Sequence, residues 1–118
     1  MQFFGARTQK LLEAIATDET VITYTVPTGK KFFLIESMLV TDAGATGSGS
    51  VEIREADTTH IRHLNWMDVR ENNKGVIPGC HFCPSWPVEM SAGQDIAVTS
   101  DSASLAAQND IFGFEVDV

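Results

Sequence analysis

Only two cysteines, Cys80 and Cys83, occur in the 118 residues, too few for a disulfide framework. No apolar run approaches the roughly 20 residues needed to span a bilayer, so no membrane partner is expected. Basic residues are scarce, with Lys and Arg totalling 8 against 16 Asp and Glu, for a net charge of −8. Such a field repels a phosphate backbone and argues against general nucleic-acid binding. The opening MQFFGARTQK lacks the basic-then-apolar layout of a secretory signal, which predicts synthesis in the cytoplasm. Catalytic signatures are missing as well. There is no Gly-x-Ser-x-Gly elbow and no other local sign of an activated nucleophile. The His-x-His strand followed by Glu that marks a cupin metal site is also absent. Asp57, Asp68 and Glu71 lie in or beside loop-like stretches, where solvated carboxylates are the default. Neither enzymatic activity nor a cofactor is expected.

The chain has the length of one domain. About two-thirds of the unfolded chain's surface is expected to be buried at this size, so a core forms without staples. What the sequence does contain is β-type patterning. Tyr24-Thr25-Val26-Pro27-Thr28-Gly29-Lys30-Lys31 sits between two apolar runs, and Pro27 and Gly29 supply the turn chemistry. Alternation predicts Ile22, Tyr24 and Val26 on one face, with Thr23 and Thr25 on the other. The run from Phe32 to Val40 is apolar on both faces. Phe32, Leu34, Met38 and Val40 share one face with Glu36, and Phe33, Ile35 and Leu39 share the other with Ser37. A strand apolar on both sides is expected to be covered twice, by its own core and by another segment or subunit.

Downstream, Asp42 to Ser50 reads as a loop, and Val51–Glu55 and Ile61–Trp66 read as a strand pair. Val76 to Pro87 is irregular or lies at a sheet edge. Val88-Glu89-Met90, Ser91-Ala92-Gly93 and Gln94 to Thr99 together suggest a hairpin. The last strand predicts Phe112, Phe114, Val116 and Val118 inward, with Gly113, Glu115 and Asp117 outward. The fold class is therefore all-β, an antiparallel sandwich of the jelly-roll type with about seven or eight strands. Residues 1–17 are read as an arm or a short helix, since Leu11, Leu12 and Ile15 have helical spacing. Residues 18–118 are read as the sandwich.

Two constellations merit attention as sites. His60, His63, Cys80 and Cys83 offer the imidazole and thiolate ligands that zinc favours. On a regular strand, however, residues 60 and 63 point to opposite faces unless a bulge intervenes. No metal site is expected from them. Trp66 and Trp86 are a candidate platform for stacking sugar rings, and the alternative is that they anchor the core or an interface.

Ile22-Thr23-Tyr24-Thr25-Val26-Pro27-x-Gly29-Lys30 followed by a long apolar strand resembles a recurring pattern in small β-sandwich proteins of tailed bacteriophages. The stretches from Pro87 to Ile96 and from Gly113 to Val116 are similar to later parts of that pattern. The resemblance covers roughly residues 20 to 118. It implies a virion component, such as a capsid decoration or cement protein on the outer capsid surface. It further implies a homo-oligomer, commonly a trimer, with the major capsid protein as partner. The expected subunit or capsid interface comprises Phe3, Phe4, Leu11, Leu12, Phe33, Ile35 and Leu39. Burying Phe3 and Phe4 would contribute roughly 3–6 kcal/mol before entropy costs. The alternative function is a carbohydrate- or receptor-binding sandwich module.

Overall fold

The computed structural model describes residues 7–41, 46–55, 60–69 and 79–118. Their strands are β1 (Arg7–Thr17), β2 (Thr20–Thr25), β3 (Lys30–Thr41), β4 (Gly47–Arg54), β5 (His60–Val69), β6 (Gly79–Phe82), β7 (Val88–Ser91), β8 (Asp95–Ser100) and β9 (Ala106–Asp117). They form two antiparallel sheets. One has the order β1-β9-β3-β6, with β7 also paired to β3, and the other has the order β2-β8-β4-β5. Because β6 and β7 share one edge of β3, the order is that of an eight-position jelly roll.

The described part of the N-terminal segment is a strand, not a helix. Arg7 to Thr17 pairs with β9 through eleven consecutive positions, from Arg7 opposite Val116 to Thr17 opposite Ala106. Its inward residues Leu12, Ala14 and Ala16 pack on the core. The spacing of Leu11, Leu12 and Ile15 fits a helix, but a neighbouring strand with open backbone groups outweighs that weak preference.

Phe32, Leu34, Leu39, Val51, Met90, Ile96, Val98 and Ile111 fill the space between the sheets. The stretch from Val88 to Thr99 turns a corner instead of forming a hairpin. β7 joins β3 in one sheet, while β8 lies between β2 and β4 in the other. Gly93 takes a φ of 89° at this corner and donates its N–H to the Val26 carbonyl at 2.9 Å. That cross-link ties the corner to the Pro27–Gly29 turn, where the chain also changes sheet.

Two bulges alter which residues face the core. Between Leu34 and Glu36 the register of β3 against β9 slips, leaving Ile35 as the extra residue. Inward positions thus run Phe32 and Leu34 before the bulge, then Ser37, Leu39 and Thr41 after it, all buried. The apparently two-faced apolar strand is one face that changes parity. In β2 the slip falls between Ile22 and Tyr24. Ile22 is exposed, Tyr24 packs on Phe32 with ring centroids 4.8 Å apart, and Thr23 also turns inward to donate to Asn109 Oδ1.

The last strand is inverted relative to simple hydrophobic alternation. Ala107, Asn109, Ile111 and Gly113 face the core and are buried, so Phe112 and Phe114 lie on the outer face. A Cβ at Gly113 would sit 2.5 Å from Phe32 Cζ, 2.9 Å from Cε2, and against the Phe33 carbonyl oxygen. The missing side chain at 113 is what admits the Phe32 ring to the core.

Candidate functional site

The outer face of the five-stranded sheet follows from this inversion. Register sets Gln9, Phe114 and Phe33 in one cross-strand row, and Leu11, Phe112 and Glu36 in the next. Glu13, Asp110 and Met38 form a third row. Phe33 and Phe114 stack with centroids 5.5 Å apart and planes tilted by 20°. A groove across this face is lined by Leu11, Glu13, Glu36, Met38, Asp110 and Phe112. A second hollow beside it involves Gln9, Ile35, Phe112 and Phe114. Leu11 is 79% exposed and Ile15 58%, values that leave most of each aliphatic side chain in water. Charges frame the apolar strip: Lys31 pairs with Glu89, and His81 Nε2 lies 3.5 Å from Glu36 Oε2.

The residues expected at an interface divide between surface and core. Leu11 is on the outer face and highly exposed, Phe33 is on the same face but nearly covered, and Ile35 is half-buried at the bulge. Leu12 packs against the core, and Leu39 is wholly buried. The parity change at Ile35 is the reason Phe33 and Leu39 face opposite ways. Phe3 and Phe4 lie outside the described residues. Strict alternation assigned Phe112 and Phe114 to the core and overlooked them as surface groups. The signal that could have found them is Gly113, whose lack of a side chain makes room for the buried Phe32 ring.

Among the described side chains, His63, Cys80 and Cys83 do not gather. A bulge at Ile61 does intervene, so His60 is opposite Arg54 and His63 is opposite Glu52. His63 Nδ1 is 4.0 Å from Glu52 Oε2 on the outer face of the four-stranded sheet, and the His60 side chain lies outside the described residues. Cys80 turns between the sheets, with its Sγ 3.6 Å from Asn65 Nδ2, and packs on the core. Cys83 is exposed, and both thiols are free. Asp57 and Glu71 fall outside the described residues.

The tryptophans are both surface groups, Trp66 at 59% and Trp86 at 75% exposure. Trp66 belongs to β5, in the four-stranded sheet, and Trp86 to the loop between β6 and β7, at the edge of the other.

A different polar group is buried on the outer side of the four-stranded sheet. Asp95 is opposite Arg54 and next to Thr25. Burial, with a contribution from Glu52, pushes its carboxyl above the usual range, and Arg54 opposes the shift. Tyr24, on β2 of the same sheet, donates across the sandwich to Glu115 on β9 of the other. Burial and that carboxylate raise its phenol well above the ordinary value. Both groups are explained by packing at the ends of the sandwich.

No protein-family model matches the chain, and no curated protein matches it. Solved structures do share its fold. A chain from the acid-stable capsid structure of Helicobacter pylori bacteriophage KHP30 aligns with a TM-score of 0.58 at 14% identity, covering 96% of this chain and 98% of that one. A chain from Bacillus endospore appendages, described as disulfide-linked pili, aligns with a TM-score of 0.54 at 10% identity, covering 96% and 88%. At such identities the likeness is one of fold: an all-β sandwich also found in a phage capsid and in a pilus.

Proposed function

We propose that the protein is a non-enzymatic structural component of a phage virion, a capsid decoration protein made in the host cytoplasm and bound to the outer surface of the head. The observation that carries this reading is the apolar outer face of the five-stranded sheet. The sandwich already has a filled core, so Leu11, Ile15 and Met38, beside the Phe112–Phe114 strip, are surplus to folding. Exposed apolar side chains interspersed with the charges of Glu13, Glu36 and Asp110 are a composition found at protein contacts that are not obligate. The neighbour from a phage capsid structure shares the fold over 96% of this chain and 98% of that one, which supports a virion role.

In this reading the outer face packs against sister copies, in the trimer implied by the phage resemblance. The major capsid protein is contacted by Met1 to Ala6, which carry Phe3 and Phe4. β1 itself belongs to the sheet through its pairing with β9, so the capsid contact is assigned to residues before Arg7. Leu11→Asp combined with Ile15→Asp changes only highly exposed side chains. The double variant is expected to melt like wild type, to be monomeric by native mass spectrometry, and to lose attachment to heads of its parent phage. A variant that assembles and attaches normally overturns the assignment of this face.

A second reading rests on the exposure of Trp66 and Trp86: a carbohydrate- or receptor-binding module. It requires a shift or quenching of tryptophan fluorescence with some member of a glycan panel, and a silent panel counts against it.

A further inference from the structure

At the β6 margin of the aromatic face, three residues of different chemistry converge. Ligand atoms of Glu36, His81 and Cys83 all lie within 4.8 Å of one another. His81 and Cys83 are two residues apart, but Glu36 comes from a strand far away in sequence. The bulge at Ile35 sends Glu36 outward, where regular alternation would place it on the side of Phe32 and Leu34. His81 is opposite Met38 on the neighbouring strand and so shares the outer face. Cys83 follows the end of β6 and returns its thiol to the same spot.

We propose that Glu36, His81 and Cys83 form a binding site for a zinc-class divalent cation. A carboxylate oxygen, an imidazole nitrogen and a thiolate are each accepted zinc ligands, at about 2.0–2.3 Å from the metal. A tetrahedron of those bond lengths places its ligand atoms about 3.3–3.7 Å apart. The His81–Glu36 separation of 3.5 Å already fits an edge of that tetrahedron. Bringing all pairs from within 4.8 Å to that spacing shortens no separation by more than about 1.5 Å, a movement open to side chains that are exposed or half-exposed. Glu13 and Asp110 line the groove that Glu36 also lines, and their charge favours a cation at its mouth. Three protein ligands leave a fourth position open, facing solvent. The soft thiolate selects against magnesium and calcium, which take oxygen ligands.

Cobalt(II) substitution tests this on the full chain. Titration with Co²⁺ is expected to give one bound ion per chain, a sulfur-to-cobalt charge-transfer band and tetrahedral d–d bands, all displaced by one equivalent of Zn²⁺. Cys83→Ser should abolish the charge-transfer band, and His81→Ala should weaken Zn²⁺ binding by more than the 10–100-fold typical of losing a supporting partner. Cys80→Ser should leave band and affinity unchanged, because Cys80 turns toward the core. The positions of Glu36, His81 and Cys83 on the surface keep these variants folded, as a thermal melt will verify. The proposal is overturned if the wild-type chain binds no stoichiometric cobalt, leaving a plain surface contact between Glu36 and His81. It is equally overturned if the band follows Cys80 instead of Cys83.

Discussion

A methyl group at position 113 has no space to occupy. In Gly113→Ala the added carbon falls 2.5 Å from Phe32 Cζ and also meets the carbonyl oxygen of Phe33. Carbon atoms in a packed core rest about 3.5–4.0 Å apart, so the ring must retreat by about 1 Å or the strands must separate. Phe32 is fully buried, and the Phe33 oxygen belongs to the backbone of β3, the strand paired with β9. Neither can yield cheaply. Overpacking of ordinary core sites costs about 1–3 kcal/mol, and the backbone contact puts this site at the upper end, about 3 kcal/mol. For a chain of this size that corresponds to a fall in Tm of roughly 10–15 °C, measurable by circular dichroism or calorimetry. Adding Phe32→Leu to Gly113→Ala relieves the ring contact but not the carbonyl contact. The double variant is therefore expected to be more stable than the sum of the single effects, as a double-mutant cycle reads directly. The neighbours on β9 supply the control. Ile111→Ala, in the core, should cost about 2–5 kcal/mol, and Phe112→Ala, on the outer face, clearly less. A Gly113→Ala variant within about 0.5 kcal/mol of wild type, or a Phe112→Ala variant costlier than Ile111→Ala, would mean that β9 faces the other way. Either result would refute the assignment of Phe112 and Phe114 to the outer surface.

Two further predictions concern buried polar groups. Asn109 is wholly buried, and its Oδ1 accepts from the Ala14 N–H and the Thr23 hydroxyl, each at 3.1 Å. Asn109→Ala strands both donors and is expected to cost about 2 kcal/mol, whereas loss of less than about 0.5 kcal/mol in urea unfolding would show that water replaces the amide. Asp95 holds its proton to higher pH when folded than its ordinary value of 3.8 implies. The folded state therefore binds more protons just above that value, and stability falls as pH rises through the window between the two. Asp95→Asn removes this slope, so the stability of wild type relative to the variant should improve as pH drops toward 4. A difference that is constant with pH, or that grows in favour of the variant under acid, contradicts the shift.

Most strands were legible because β-branched and aromatic runs bounded by Pro, Gly and small polar residues mark them independently of tertiary context. β1, read as an arm or helix, and residues 47–50 of β4, read as loop, lack such runs. The all-β class, the Val51–Glu55 pairing with Ile61–Trp66, and the edge position of Gly79–Phe82 all follow from such local signals. Facing was harder to read. Period-two alternation carries no mark at the point where one residue is inserted, and both Thr23 and Ile35 are such insertions. Each reverses every assignment beyond it until the next irregularity. The corner at Ser91–Gln94 was misread for a related reason, since a small-Gly-polar turn serves either a hairpin or a change of sheet. Only the partners of β7 and β8, which are far away in sequence, distinguish the two.

The same logic explains why the candidate site was half visible. Leu11, Phe33 and Ile35 stood out as apolar residues in excess of what a thin sandwich needs. Phe112 and Phe114 did not, because two aromatics alternating with Gly and Glu have the appearance of a core strand. Volume across the pair β3–β9 decides the matter. Phe32 and Leu34 already point inward on one strand, and if Phe112 and Phe114 did so on the next, four large side chains would compete for space between two sheets about 10 Å apart. Placing Gly113 inward instead lets Phe32 extend over β9 without a facing side chain, and Ile111 and Met90 close the remaining volume. The half-buried aromatic strip on the outer face is thus a consequence of how the core is filled. A substitution that enlarges residue 113 and one that adds charge beside Phe112 should consequently act on different properties, the first on folding and the second on association. That separation, measured as Tm against subunit count, distinguishes a surface kept apolar for a partner from one left apolar by the demands of the core.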